Sequence, residues 1–494
     1  MSFHAAPDDG NVRVPCKPSS RPRPQPVNAS PALVVALCLL LAPSCTHALP
    51  AAARTTTLGE LFDASVESEP GYHAAKANVA VSQARTRQAL GAMLPQLSLT
   101  ASANGNRRSY NTHDATTVTM YDRYHSHSDQ LSLTQPIWRP ANVATWDEAK
   151  DSEAQAHYQL ADAEQKLYAK LADAWFDLME ARDEIEFTAA QRDALQAQWA
   201  IARRGAELGA RGVPEADEAE AKYREADADA ASAALDREAK LAALEQLAGP
   251  ADGLLQPYLR DDADLPDLVG GDPDAWLDLV DSECPSLHAA ARAVAAADDE
   301  VRKQRAGGRP TLDLVANYGN NDQAVGNFPG QNGYGIRTLT VGLQLNVPLY
   351  TGGTQSAKVA EALAAREKAL ADRDAARRQA ILDIRTAFLQ WRSGLAKAKA
   401  SRVGIASART SWQAAVRGEA KGLKTHADVL SAIQQWEGLR RDLHKGRYQQ
   451  ITAYVKLRAT LGQLGAEDVD ELDRLFSATD QDAPPLADAR GGTP

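Results

Sequence analysis

The stretch Ile336–Thr354, IRTLTVGLQLNVPLYTGGT, decides the fold. Leu339, Val341, Leu343, Leu345 and Val347 alternate with Thr340, Gly342, Gln344 and Asn346. That is the period of a β-strand with one apolar and one polar face. Pro348 stops the pattern, because proline cannot donate to a ladder, and Gly352-Gly353 open a long helical run from near Gln355. A membrane strand needs about 9–11 tilted residues, which this stretch supplies. The same alternation fits an edge strand of a soluble sandwich, so the rest of the chain has to discriminate.

The net charge of −11 over 494 residues argues against a nucleic-acid partner, which needs a clustered basic face. Aromatics are only 6%, and alanine-rich runs with Glu, Lys, Arg and Gln favour helices. The first residues form a separate object. Arg13, Lys17, Arg21 and Arg23 precede the apolar run Leu33–Ala42 and a Thr46-His47-Ala48 site, the pattern of a secretory signal peptide over residues 1–48. Pro43 fits a lipoprotein box at Cys45 poorly, so ordinary cleavage near Ala48 is favoured. Cys16, Cys38 and Cys45 lie in the leader, leaving Cys284 without a disulfide partner. No later segment has eighteen consecutive apolar residues, so a mature chain that enters a membrane must do so as a β-barrel.

Beyond the leader the chain repeats itself. A helical stretch from Leu58 to Ala92 leads to a strand (Leu97, Leu99, Ala101), a polar loop over Tyr110–Asp122, and a second strand ending at Pro136-Ile137-Trp138. From Asn142 to about Gly209 there is no proline and a single glycine, which predicts a helical rod on the order of 100 Å long. Leu160, Leu167, Leu171, Ala174 and Leu178 form a coiled-coil seam on it. Gly209, Gly212 and Pro214 mark a turn, and a second helix runs from about Ala216 to Leu247 before Gly249-Pro250. An acidic connector and one helix, Asp274–Gln304, follow. The order then starts again: a strand (Leu312, Leu314, Ala316), a Gly/Asn loop, the quoted strand, a helix to Val416 with a packing stripe at Ile381, Ile384, Phe388, Trp391 and Leu395, a break at Gly418–Gly422, and a helix over Asp428–Leu464. Pro136 and Pro348 mark equivalent junctions about 210 residues apart, and Gly212 and Gly422 are read as equivalent turns. The expected domains are a first repeat over 49–250, a connector and helix over 251–308, a second repeat over 309–465, and a disordered acidic tail over 466–494.

Four strands cannot close a barrel, since the smallest has about eight, and open edges are not tolerated in lipid. The narrow helical seams also need neighbours. Both halves of each repeat therefore demand a symmetric oligomer, with a strand barrel joined to a helical tube.

The duplicated strand–loop–strand–long helix, the junction Pro348-Leu349-Tyr350-Thr351-Gly352-Gly353 and the turn Gly422-Leu423-Lys424-Thr425-His426-Ala427-Asp428-Val429-Leu430 resemble the TolC family of outer-membrane efflux and secretion proteins, over about Leu58–Leu464. The acidic cast and long leader are similar to the branch that exports cyclolysin, the adenylate cyclase toxin. The resemblance implies a mainly α fold with a membrane β-barrel: a trimer with a twelve-stranded barrel in the outer membrane and a periplasmic α-helical barrel. It implies a passive duct in a type I secretion system or, alternatively, a multidrug efflux pump. The implied partners are an inner-membrane ABC or proton-driven transporter, a periplasmic adaptor, outer-membrane lipid and the exported protein or small molecule, with no cofactor. It also implies a periplasmic gate. Gly422 takes the place of the turn glycine and Asp428 that of the first gate aspartate. The second gate aspartate falls on Ser431, the gate arginine on Lys424, its carboxylate partner on Glu218, and the linking tyrosine on Glu419. Ser431 and Glu419 depart from the family pattern.

Each of these residues has a plainer reading. Asp428 is either a gate acid or a helix-start residue. Lys424–Glu218 is either a lock or an exposed pair worth under about 1 kcal/mol. Trp138 and Tyr350 belong either to an interfacial aromatic girdle or to a junction core. His113, His125 and His127 read as surface loop residues rather than a metal site. No Gly-x-Ser-x-Gly elbow, Walker loop or Cys/His zinc spacing is present, so no enzyme is expected. A periplasmic adaptor would show one hairpin beside a small β-domain, and an extracellular coiled coil would leave the alternating strands unexplained.

If the apolar face of the quoted strand meets lipid, Leu343→Arg should destabilise the inserted protein by about 2–4 kcal/mol. Gln344→Arg, on the lumen face, should cost far less. Urea unfolding in phospholipid vesicles measures both, and equal tolerance would refute the facing.

Overall fold

The computed structural model describes residues 57–110, 120–209, 212–250, 258–260, 265, 273–324 and 332–477. The expected leader, with its cysteines, lies outside the described residues. So do His113 and most of the acidic connector. The element order is α1 (Leu58–Ser68), α2 (Pro70–Gly91), β1 (Gln96–Tyr110), β2 (Met120–Trp138), α3 (Pro140–Glu207), α4 (Val213–Ala248), β3 (Tyr258–Leu259), α5 (Pro273–Asp278), α6 (Val280–Glu283), α7 (Pro285–Ala306), β4 (Thr311–Gln323), β5 (Tyr334–Asn346), α8 (Thr354–Glu419), α9 (His426–Thr460), α10 (Ala466–Asp473) and β6 (Phe476–Ser477).

The four long strands make one antiparallel sheet in the order β1-β2-β4-β5. Cross-strand partners share a face, so the register states which side chains lie together. Leu97, Leu133, Ala316 and Val341 form one row, and Leu99, Leu131, Tyr318 and Leu339 the next. Leu314–Leu343 and Leu312–Leu345 extend the patch on β4 and β5. The opposite face carries Ser98, Ser132, Asn317 and Thr340 in one row and Thr100, Gln130, Gly319 and Thr338 in another. Every position of β5 is exposed in the single chain, with Leu339 at 69% and Leu343 at 65%. A soluble protein would not leave so large an apolar face uncovered.

The helices carry the core. α3 is 68 residues long, about 100 Å, starts with Pro140 at its first turn, and α8 matches it with 66 residues. α4 folds back along α3, and α9 along α8. One apolar cluster joins α1, α3, α4, α9 and α10 through Phe62, Leu171, Trp175, Leu178, Leu244, Ile451 and Leu472. A second joins α6, α7, α8 and α9 through Val280, Leu287, Ile384, Phe388, Trp391 and Leu457. Of the predicted seam, Leu167, Leu171 and Leu178 are buried, and of the packing stripe Ile384, Phe388 and Trp391, while Leu160, Ala174, Ile381 and Leu395 are half-buried. Gly394 and Gly446 let α8 and α9 approach closely, since a Cβ on Gly394 would come 2.6 Å from the Gly446 carbonyl. Between α3 and α9 a polar tie is buried. His444 Nδ1 donates to Asp183 Oδ2 at 2.9 Å, and Arg182 donates to Asp183 Oδ1 at 2.7 Å. Burial pushes the Asp183 carboxyl up, but the His444 hydrogen bond and the Arg182 charge outweigh it and hold the group below the ordinary range.

Three expectations change. The single helix over Asp274–Gln304 is broken into α5, α6 and α7, interrupted at Leu279 and at Cys284, where Pro285 starts a new first turn. The expected disorder from residue 466 does not hold for its first part. Leu472 and Leu475 are buried in the core, and Phe476–Ser477 pair with Tyr258–Leu259 inside the connector. The turn equivalence also shifts. Trp199 stacks on Tyr223 with centroids 5.3 Å apart, and Trp412 on Trp436 at 5.5 Å. Both members of the second pair lie 213 residues after those of the first, and at that offset Gly422 matches Gly209, not Gly212. The backbone agrees: Gly209 (φ +70°) and Gly422 (φ +69°) are both left-handed, whereas Gly212 (φ −75°) is the extended N-cap of α4.

Gly209→Ala should therefore destabilise the α3–α4 hairpin by about 1–2 kcal/mol, because it forces a Cβ into the left-handed region. Gly212→Ala should cost less, by loss of a cap-tolerant residue only. Comparative urea denaturation of the two variants measures the difference, and the reverse order would contradict the assignment.

Candidate functional site

Two regions hold the residues singled out by sequence: the hairpin tips and the strand-to-helix junctions. At the α8–α9 tip, the Leu423 N–H reaches back to the Gly418 carbonyl at 2.8 Å and the Gly422 N–H to Glu419 at 2.9 Å. This Schellman-type ending needs the left-handed Gly422. α9 then begins with a capping box. The Asp428 N–H donates to Thr425 Oγ1 at 3.2 Å, and the Thr425 N–H donates to Asp428 Oδ2 at 2.7 Å. The Thr425 hydroxyl adds a further bond to the same oxygen at 2.8 Å. The backbone bond from Thr425, then its hydroxyl, hold the Asp428 carboxyl below its ordinary value of 3.8. The helix-start reading of Asp428 is thus seen directly, and its signal, Thr425-x-x-Asp428, stands in the sequence.

The proposed lock is not formed within the chain. Lys222 donates to Glu218 Oε1 at 2.7 Å as an i,i+4 pair on α4. The Lys424 side chain instead lies over Gly418, where an added Cβ would come 2.7 Å from Lys424 Cγ. Even so, Glu218 and Lys222 share one cleft of about 420 Å³ with Glu215, Thr425 and Ala427. The two hairpin tips are therefore neighbours. Glu419, at the linking position, accepts from His426 Nδ1 at 2.8 Å and closes its own tip. Ser431 is exposed on α9. The offset of 213 that relates the repeats places Glu215 opposite Asp428 and Glu218 opposite Ser431. Glu215 is the third helical residue of α4, as Asp428 is of α9. Sequence reading passed over Glu215, because the offset was taken from Gly212.

At the junctions, Pro136 falls where the β2–β4 register shifts between Pro136 and Trp138. Pro348 follows β5, and Gly353 (φ +84°) is the N-cap of α8, one residue after the left-handed Gly352. Trp138 is 47% and Tyr350 89% exposed, so neither fills a core of this chain. The junction carries instead a two-pronged ion pair that sequence reading missed. Arg139 Nε and Nη2 donate to the two carboxylate oxygens of Asp313 at 2.7 and 2.6 Å. It ties the start of α3 in the first repeat to β4 in the second. Gln135 bonds the Met93 carbonyl at 3.0 Å and Asn142 that of Ala92 at 2.7 Å, fixing the entry to β1. Among the described residues, no cluster of His, Cys, Asp and Glu could hold a metal, and no helix is long and apolar enough to cross a membrane. His125 and His127 are exposed on β2.

A sheet with one lipid-compatible face, continued into two antiparallel pairs of rod-like helices, defines an outer-membrane channel with a helical extension. The model of the family described as outer membrane efflux protein matches residues 62–250 and 276–463, and the chain belongs to that family. It is 30% identical over 395 residues to the proteases secretion protein PrtF of Dickeya chrysanthemi, covering 78% of this chain and 84% of that one. It is 26% identical over 431 residues to the outer membrane protein TolC of Vibrio cholerae, covering 86% and 95%. The crystal structure of the Campylobacter jejuni CmeC outer membrane channel superposes with a TM-score of 0.68 at 16% identity, over 85% of this chain and 90% of that one, and shows the shared fold. The chain is an export channel of the Gram-negative outer membrane, with its helical part in the periplasm.

The cap at Asp428 makes a pH prediction. Its folded carboxyl titrates below its unfolded value, so its stabilisation is present above about pH 4 and is lost as pH falls through the lowered value. Protection of the first α9 turn against amide hydrogen exchange should fall over that window in the natural chain. In Asp428→Asn that loss should be absent, and a persistent loss would assign the effect elsewhere.

Proposed function

We propose that the chain forms a homotrimeric, passive duct for protein secretion of type I, receiving cargo from an inner-membrane ABC transporter through a periplasmic adaptor. The observation that carries the trimer is the open sheet: four strands, an uncovered apolar face, and unpaired edges at β1 and β5. Three copies supply the strands that a closed barrel needs and leave no edge in lipid. Protein cargo is supported by the likeness to a proteases secretion protein over most of both chains. Cyclolysin-type toxins belong to the same cargo class, and a drug-efflux role is the alternative outcome. The duct performs no catalysis, and the energy for transport is the partner's.

The periplasmic mouth is the gate. Three copies of Asp428, with Glu215 at the matching place in the first repeat, would line one constriction with carboxylates, which favours cations, their mutual repulsion opposing the lowering that the Thr425 bonds give each Asp428. Lys424 and Glu218 lie at adjoining tips, and a lock between them would form on assembly, in exchange for the Lys222–Glu218 pair. Lysine holds a carboxylate by a point charge rather than a fork, so such a lock is easily opened.

Lys424→Ala with Glu218→Ala should raise single-channel conductance in planar bilayers, and unchanged conductance would remove the lock. For the duct itself, the protein should purify in detergent as a trimer about 140 Å long, the rod length plus a barrel of membrane height. A detergent-independent monomer would overturn it. Deleting the gene should remove specific proteins from the medium. Increased drug sensitivity with an intact secretome would replace secretion by efflux.

A further inference from the structure

The lipid-compatible face of the sheet does not end at its apolar rows. Continuing along the same face, away from the helices, the register places Asp129, Asn320 and Arg337 in the next row, then His127 beside Asp322, then His125, then Arg107 directly opposite Arg123. Arg107, Arg123, Arg337, His125 and His127 are all exposed. Like charges directly across a strand pair repel, yet neither Arg107 nor Arg123 has an ion pair among the described residues. The neighbouring Arg108 points to the other face, over the Tyr124 ring at 5.4 Å. Of the two carboxylates on the outward face, Asp322 already accepts from Asn320 Nδ2 at 2.6 Å.

The opposite end of the same face differs. From Leu97, Gln135, Leu312 and Leu345 toward the helices it carries no charged residue, and Arg139, at the junction, is held by Asp313. Within the strands, the arginines of this face thus stand only at the end that faces out of the cell, and at the helix end a single exposed arginine, Arg309, precedes β4 with none opposite it. Arg337 is two residues beyond Leu339, about 7 Å along the strand, and Arg107 is four residues beyond Ala103, about 14 Å. With strands tilted some 40°, these heights span the headgroup layer just above the apolar band.

We propose that this outward cationic strip, centred on the Arg107–Arg123 pair and including Arg337, is a binding site for the phosphate groups of the phosphorylated glycolipid of the outer leaflet. Two guanidinium groups facing each other across one strand pair can both fork onto one phosphate, which converts a repulsive pair into a clamp. The absence of such a strip at the periplasmic end matches a ligand present in the outer leaflet alone.

The test is titration of the detergent-purified full chain with bis-phosphorylated lipid A and with the same lipid dephosphorylated, followed by native mass spectrometry. The phosphorylated lipid should be retained at least about tenfold more tightly, and Arg107→Gln with Arg123→Gln should abolish that preference. Arg107→Lys with Arg123→Lys should restore part of it. Equal binding of both lipids, or a preference unchanged in the glutamine variant, would overturn the site. Displacement by millimolar inorganic phosphate would assign a free-anion site instead and would also overturn it. If the glutamine variant fails to fold, the natural chain decides: affinity should fall as salt rises, and salt-independent affinity refutes the proposal. Channel conductance should be unchanged in every folded variant, which separates this site from the duct and its gate.

Discussion

The backbone of a strand in lipid has nowhere to place its N–H and C=O groups except another strand. That constraint governs this molecule. The sheet satisfies it internally for β2 and β4, whose both sides are paired, and leaves it unmet at the outer edges of β1 and β5. The apolar exposure of the sheet in the single chain follows from the same fact. Leu97, Leu99, Leu339, Val341 and Leu343 are bare because their solvent is hydrocarbon, not because the sheet is unfinished in itself.

The helical part solves a different problem. Rods of 68 and 66 residues are too long for a single globular core, so burial is concentrated in two clusters where the short helices α1, α6, α7 and α10 wrap the long ones. Away from those clusters the hairpins are held by narrower means: a stacked aromatic pair in each, close glycine contacts between α8 and α9, and the buried Asp183–His444–Arg182 tie. Stability is therefore uneven along the rods, and the tips beyond the aromatic pairs are the least anchored. Parts that must move are drawn from such regions. Asp428 illustrates the economy of the arrangement, since the carboxylate that would line a constriction also caps α9.

The two repeats are not interchangeable. Thr425 caps α9 with a side chain, whereas Gly212 at the matching place offers none. Asp428 has a counterpart in Glu215, but Ser431 has Glu218, so at these two positions the first repeat carries two carboxylates and the second carries one. The Arg139–Asp313 fork crosses from one repeat to the other at the membrane boundary, where the sheet turns into helices and a slip in register would propagate into both.

Local pattern alone determined the strands, the long helices, the stripe Ile384–Phe388–Trp391 and the duplication, because periods of two and of 3.6 are written in neighbouring residues. The interruption at Cys284-Pro285 was legible, because a proline ends the helix before it, and it was passed over. The docking of α10 and the pairing of Phe476–Ser477 with Tyr258–Leu259 depend on contacts between segments more than 100 residues apart, which no local period records. The turn glycine was misassigned because Gly209 and Gly212 are equally glycine in sequence, and only the backbone angle separates them. The quoted strand Ile336–Thr354 fixed its own two faces. What lies on them, a continuous apolar band ending in opposed arginines, was decided by the register of four strands, since a face is a property of the sheet and not of any one strand.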